Sequence, residues 1–162
     1  MNALSIMGFF CEDIREEAGG TVTLIGLMPD NVNVEELKKQ DEVSLSSRVI
    51  TKVCVFVRAN FDPDDPTQEI SLHLTLPNDQ KFSLGKADAA VMQQAKQQAR
   101  EKGSPLAGIT LRAVLGGFSL PKLGVMKLDA TIGSERRLLA ALNFAPSEKA
   151  SSSSGSELPS PQ

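Results

Sequence analysis

The hydrophobic positions of this chain recur mostly at every second residue. In "EISLHLTL", residues 69–76, Ile70, Leu72, Leu74 and Leu76 alternate with Ser71, His73 and Thr75. That is the pattern of a strand with one face in a core and one toward water. In "RVITKVCVFVRANF", residues 48–61, Val49, Val53, Val55 and Val57 share a face with Thr51, and Arg48, Lys52 and Arg58 share the other with Ile50, Cys54 and Phe56. β-Branched residues at period two favour a pleated ladder. An apolar run at 5–11 continues through Ile14, and "REEAGGTVTLIGLM" predicts a hairpin turning at Gly19-Gly20 and returning through Val22 and Leu24. Later, Ile109, Leu111, Ala113 and Leu115 share one face, and Met126, Leu128, Ala130 and Ile132 another, with Lys127, Asp129 and Thr131 outward. Gly133-Ser134, glycine first, predicts a type II′ turn into a last strand with Leu138, Ala140, Leu142 and Phe144 inward.

Between these strands lie clear breaks. "FDPDDPTQ" cannot continue a ladder, and "PNDQ" turns the chain into the returning "KFSL". Residues 29–47 read as a polar, irregular connection with a short helical turn at 34–39, and Gly116-Gly117 predicts a bulge or a close strand contact. One segment changes period. Residues 87–102, rich in Ala, Gln and Lys, predict a helix with Asp88 at its start and a stop at Gly103 and Pro105. Its thin apolar stripe, Val91 or Met92 with Ala95 and Ala99, suits an edge or an open end of a sheet and not the core. The expected architecture is all-β: one antiparallel β-sandwich over 1–145, immunoglobulin-like or like the calcium- and lipid-binding sandwiches, with seven or eight strands and the helix inserted near 87–102. The Ser/Pro-rich stretch 146–162 is expected to be a disordered tail.

Composition narrows the function classes. Seventeen Lys and Arg against 20 Asp and Glu leave a formal charge of −3. With no Trp or Tyr, the chain lacks both the basic surface and the stacking platforms of a nucleic-acid binder. No apolar run reaches the length of a membrane helix and no leader pattern opens the chain, so a cytoplasmic setting is expected. Cys11 and Cys54 each sit in an apolar run and are expected to be free, buried thiols.

Candidate chemistry is sparse. His73 stands alone between Ser71 and Thr75, without the elbow of a serine hydrolase. Cys11, Cys54 and His73 lack zinc-ligand spacing, and Gly116-Gly117 leads into no phosphate-binding helix. The sharpest feature is the acidic loop at 62–69. Asp62, Asp64 and Asp65 are calcium candidates provided that a second loop, through Asp30 or Asp79, supplies further oxygens. Asp and Pro also simply make good turns.

The run Cys11-Glu12-Asp13-Ile14-Arg15, followed by Glu16 or Glu17, a glycine turn and Thr23-Leu24-Ile25-Gly26, resembles the opening signature of a bacterial and phage family of unknown function. Its members read Cys-Asp-Asp-Val-Arg and then Ser-Leu-Ile-Gly. The stretch "LGVMKLDATIGSERRLLAALNF" resembles that family's closing hairpin, whereas the middle of the chain, helix included, departs from it. The resemblance implies a single sandwich domain, marks Cys11, Glu12, Asp13, Arg15 and Gly26 as signature positions, and transfers no catalytic residue. Read from the residues, Ile14 points inward and Arg15 pairs with Asp13 or Glu17 beside the hairpin. The function expected is a non-catalytic binding or interaction module, engaging a protein partner or a second copy through an edge strand, with no cofactor, nucleic acid or membrane. A calcium- or ligand-dependent domain using the acidic loop is the alternative, and a small hydrolase built on Asp13 and Glu16 the remote one.

Overall fold

In a computed structural model of the chain, the residues described are 4–34, 48–66, 68–120 and 122–146. The order of elements is β1 (Ser5–Glu16), β2 (Val22–Leu27), β3 (Asn31–Val34), β4 (Arg48–Phe61), β5 (Ile70–Thr75), β6 (Lys81–Ala87), α1 (Ala89–Glu101), β7 (Ala107–Leu120), β8 (Gly124–Ile132) and β9 (Glu135–Pro146). They form two layered sheets, one ordered β2-β1-β4-β7 and the other β3-β9-β8-β5-β6. Period-two burial drives the layers together: Val53, Val55, Val57, Ala59 and Phe61 of β4 face Ile70, Leu72, Leu74, Met126, Leu128, Leu142 and Phe144 of the second sheet. All-β architecture, sandwich layering and the single helix follow the sequence pattern.

Several elements depart from it. Nine strands are described, because the connection at 29–47 contains β3, whose Asn31–Val34 pairs in parallel with Asn143–Pro146 of β9. Asn143 N–H donates to Asp30 O at 2.8 Å, and the Asn143 side chain donates to Asn31 Oδ1 at 3.0 Å. A four-residue strand is too short to show a period, so polarity concealed it. The helical turn expected at 34–39 begins on Val34, which is strand, and otherwise lies outside the described residues, as do positions 147–162 of the tail. Gly116-Gly117 makes no bulge: the β4–β7 register runs without a shift from Arg48↔Leu120 to Phe61↔Ala107.

On β9 the inward set differs from the simple alternation. The pairing changes from Leu128↔Ala140 to Asp129↔Leu138, a bulge that turns Leu138 outward, 59% exposed, and leaves Leu139 packed on the core. Helix α1 is also more deeply engaged than its stripe suggests, since Met92 and Ala99 join the core and Lys96 is only 3% exposed. Asp88 caps its start by accepting from Val91 N at 3.0 Å. Ser104 N bonds Ala99 O and Gly103 N bonds Arg100 O, with Gly103 at φ +62°, a Schellman ending.

The β1–β2 hairpin bends. β1 pairs with β4 from Ser5↔Asn60 to Cys11↔Cys54, and from Cys11↔Leu27 onward it pairs with β2. Beyond Cys11 the hairpin leaves the sheet plane and crosses the outer face. Asp13 Oδ1 there meets Lys52 Nζ at 2.6 Å, and Glu16 meets Arg112 of β7, two strands away.

Candidate functional site

β6 and β7 are the free edges of their sheets on the same side of the sandwich. The helix joining them packs against β7 and closes one end of the gap. Toward the other end the edges diverge around a groove of about 330 Å³. Leu74 and Leu76 form its floor; Phe82, Leu84, Val114 and Leu115 form its walls, with Ser83 and Gly116 at the rim. The volume lies at the lower end of the range for small-ligand pockets, roughly 300–1,000 Å³. Phe82 and Val114 are exposed, Val114 by 65%. The free side of β7 runs for 14 residues without a proline. Such an edge is a template for another strand.

Sequence reasoning missed the groove. Phe82 opposes Leu74, and so belongs to the inner face, yet nothing covers it fully because β6 ends the sheet. The available signal was a short apolar return, "KFSL", after a tight turn, but which strand ends a sheet is a tertiary fact.

The acidic loop docks the helix. Asp62 Oδ1 accepts from Asp64 N at 2.8 Å, closing an Asx turn. Arg100 of α1 reaches Asp64 Oδ1 at 3.0 Å and Pro63 O at 2.6 Å, and Lys96 Nζ donates to Asp65 O. Asp30 and Asp79 sit elsewhere. Asp79 follows the far end of β5, roughly 20 Å along that six-residue strand from the loop, and Asp30 bonds β9 near the opposite end of the neighbouring β8. Among the described residues no group of three or more His, Cys, Asp or Glu is arranged to hold a metal ion. The cleft under the loop, lined by Leu4, Phe61, Pro66 and Met92, holds about 30 Å³, room for a water or two.

The signature positions gather where β1 bends. Cys11 and Cys54 are both free and fully buried. Asp13 lies between Lys52 and Arg15, whose Nε is 3.4 Å away. Its hydrogen bond from Lys52, seconded by that from Arg15, holds its carboxyl below the ordinary aspartate range. Gly26 adopts φ +61°, and a Cβ there would stand 2.5 Å from the Glu12 carboxylate. Glycine takes that conformation without strain, and a larger residue would also have to displace the Glu12 side chain. Asp13 and Glu16, the carboxylates of the hydrolase alternative, are each paired with a cation, Lys52 and Arg112.

His73 is placed differently from the exposed position expected. On the outer face of the second sheet it is half-buried, with Ser83 opposite on β6 and Asp129 opposite on β8. Asp129 is 5% exposed and receives Arg136 Nη2 at 2.7 Å. The three types of a serine triad thus share one row with Ser83 at the rim of the groove, but Asp129 is committed to Arg136, and neither His73 nor Asp129 lines the groove. A relay needs hydrogen bonds from nucleophile to base and from base to carboxylate.

No protein-family model matches this chain, and no curated protein matches it. Among the described residues no helix is long and apolar enough to cross a membrane.

Proposed function

We propose that this protein is a non-catalytic binding module whose open side, between β6 and β7, takes an extended segment of a protein partner or of a second copy. One observation carries the reading: an apolar groove lies between two unpaired strand edges. Added strands gain affinity from main-chain hydrogen bonds along the edge and specificity from alternate side chains entering a pocket. The occupant is therefore a strand alternating apolar and polar residues, with a bulky apolar side chain for the floor at Leu74 and Leu76. The two free thiols suit a reducing cytoplasm, and the signature from Cys11 to Gly26 suits a place beside the bacterial and phage sandwich family.

The test combines light scattering on a sizing column with fluorescence anisotropy of alternating ten-residue peptides. The expected result is either self-association or peptide binding, weakened about tenfold or more by Val114→Lys, since a charge on an edge strand opposes pairing. A wild-type chain that stays monomeric at high concentration and ignores every peptide overturns the reading.

A further inference from the structure

Cys11 and Cys54 are directly opposed on neighbouring antiparallel strands and therefore lie side by side on one face of the sheet. Opposed positions in such a ladder stand about 4.5–5.5 Å apart at Cα, inside the roughly 4.4–6.8 Å span of a disulfide. The pair sits where β1 parts from β4, under the hairpin that crosses the outer face. The Cys54 thiol donates to Glu12 O at 3.5 Å. Exposed ion pairs at Asp13–Lys52 and Glu16–Arg112 hold the hairpin over both sulfurs.

We infer that Cys11 and Cys54 form a gated dithiol that closes to a reversible cross-strand disulfide by exchange with a small-molecule disulfide, the β1–β2 hairpin acting as the gate. One cysteine thiolate attacks a sulfur of the reagent and releases one small thiolate. The second cysteine thiolate attacks the resulting mixed disulfide and releases the other. The protein pair is oxidised by two electrons, the reagent's S–S bond is reduced, and the two protons pass to the released thiolates.

The geometry also makes the bond easy to reopen. Side-by-side Cβ atoms stand about 4.5–5.5 Å apart in such a ladder, whereas a disulfide wants about 3.5–4.5 Å. The strands must draw together, and a strained bond is the more readily reduced. The pair is thus a dithiol at a resting cytosolic poise and a disulfide when the poise rises. Burial pushes the Cys11 thiol up from its ordinary value, reinforced by Cys54 and Asp13, which keeps it quiet while the gate is shut.

The full reduced chain is incubated in mixtures of oxidised and reduced glutathione, quenched in acid, and its free thiols counted by maleimide mass tagging after denaturation. Both thiols are expected to disappear together, giving a monomer with linked Cys11 and Cys54 peptides, reversible by dithiothreitol. The melting temperature should rise, by less than the roughly 10 °C that an unstrained cross-link over a loop of more than 40 residues would give. Arg112→Met, which loosens the gate, should speed thiol loss several-fold. The inference is overturned if the folded chain keeps both thiols at a poise where the urea-unfolded chain forms the bond. It is equally overturned if the products are glutathione adducts or linked dimers, or if Arg112→Met leaves the rate unchanged.

Discussion

Asp13 shows how one side chain ties a local signature to the wider fold. The sequence placed it beside Arg15, two residues on along the same strand, and that pair forms at 3.4 Å. Its stronger partner, Lys52 at 2.6 Å, comes from 39 residues away and needed the fold to bring it there. Because the folded-state value is depressed, the stability that Asp13 contributes is complete at neutral pH. It is lost as pH falls below the ordinary aspartate value and through the folded one. Lys52→Met is expected to move the Asp13 titration, followed by carboxyl NMR, back toward the ordinary aspartate value, with Arg15 supplying a weaker pull. An unmoved titration would show that Lys52 does not govern this carboxylate. Lys96 teaches the opposite lesson. The apolar stripe read from the helix leaves it out, yet it is buried, and its ammonium donates to the Asp65 carbonyl.

At the scale of elements, β4, β5 and β8 were legible because long alternation with one buried face leaves little choice of structure. β3 was not, since four residues cannot establish a period and its parallel partner lies 112 positions downstream. The outward turn of Leu138 was hidden for a related reason: a bulge shifts every side chain beyond it, and its position is set by the partner strand. Gly8 on β1 shows how closely the two layers approach. A Cβ there would stand 2.9 Å from Leu128 Cδ2 and 3.0 Å from Leu139 Cβ, without any backbone strain to relieve. Gly8→Ala is expected to cost about 1–3 kcal/mol by overpacking, measured by urea denaturation. Wild-type stability in that variant would mean that the sheets separate more easily than their packing implies. The acidic loop and α1 likewise form one unit, in which Asp64 and the Pro63 carbonyl receive Arg100.

Across the whole molecule, protection against hydrogen exchange should follow sheet position. β4, β5, β8 and β9 have a neighbour on each side and are expected to exchange slowest by deuterium mass spectrometry, with β2, β3 and β6 fastest. Slow exchange in β3 would contradict its place at an edge. The groove belongs to this scale too, because it exists only where two sheets end side by side and the helix between them is too short to cover both. The sequence by itself determined the fold class, the hairpins at Gly19-Gly20 and Gly133-Ser134 and the extent of the helix. Each follows from local period or turn chemistry. Only the tertiary structure decided which strands are edges, that the acidic loop faces cations of α1, and that Cys11 stands opposite Cys54. Those depend on pairing between distant segments, and a period of two states which face a residue takes but never which strand will lie beside it.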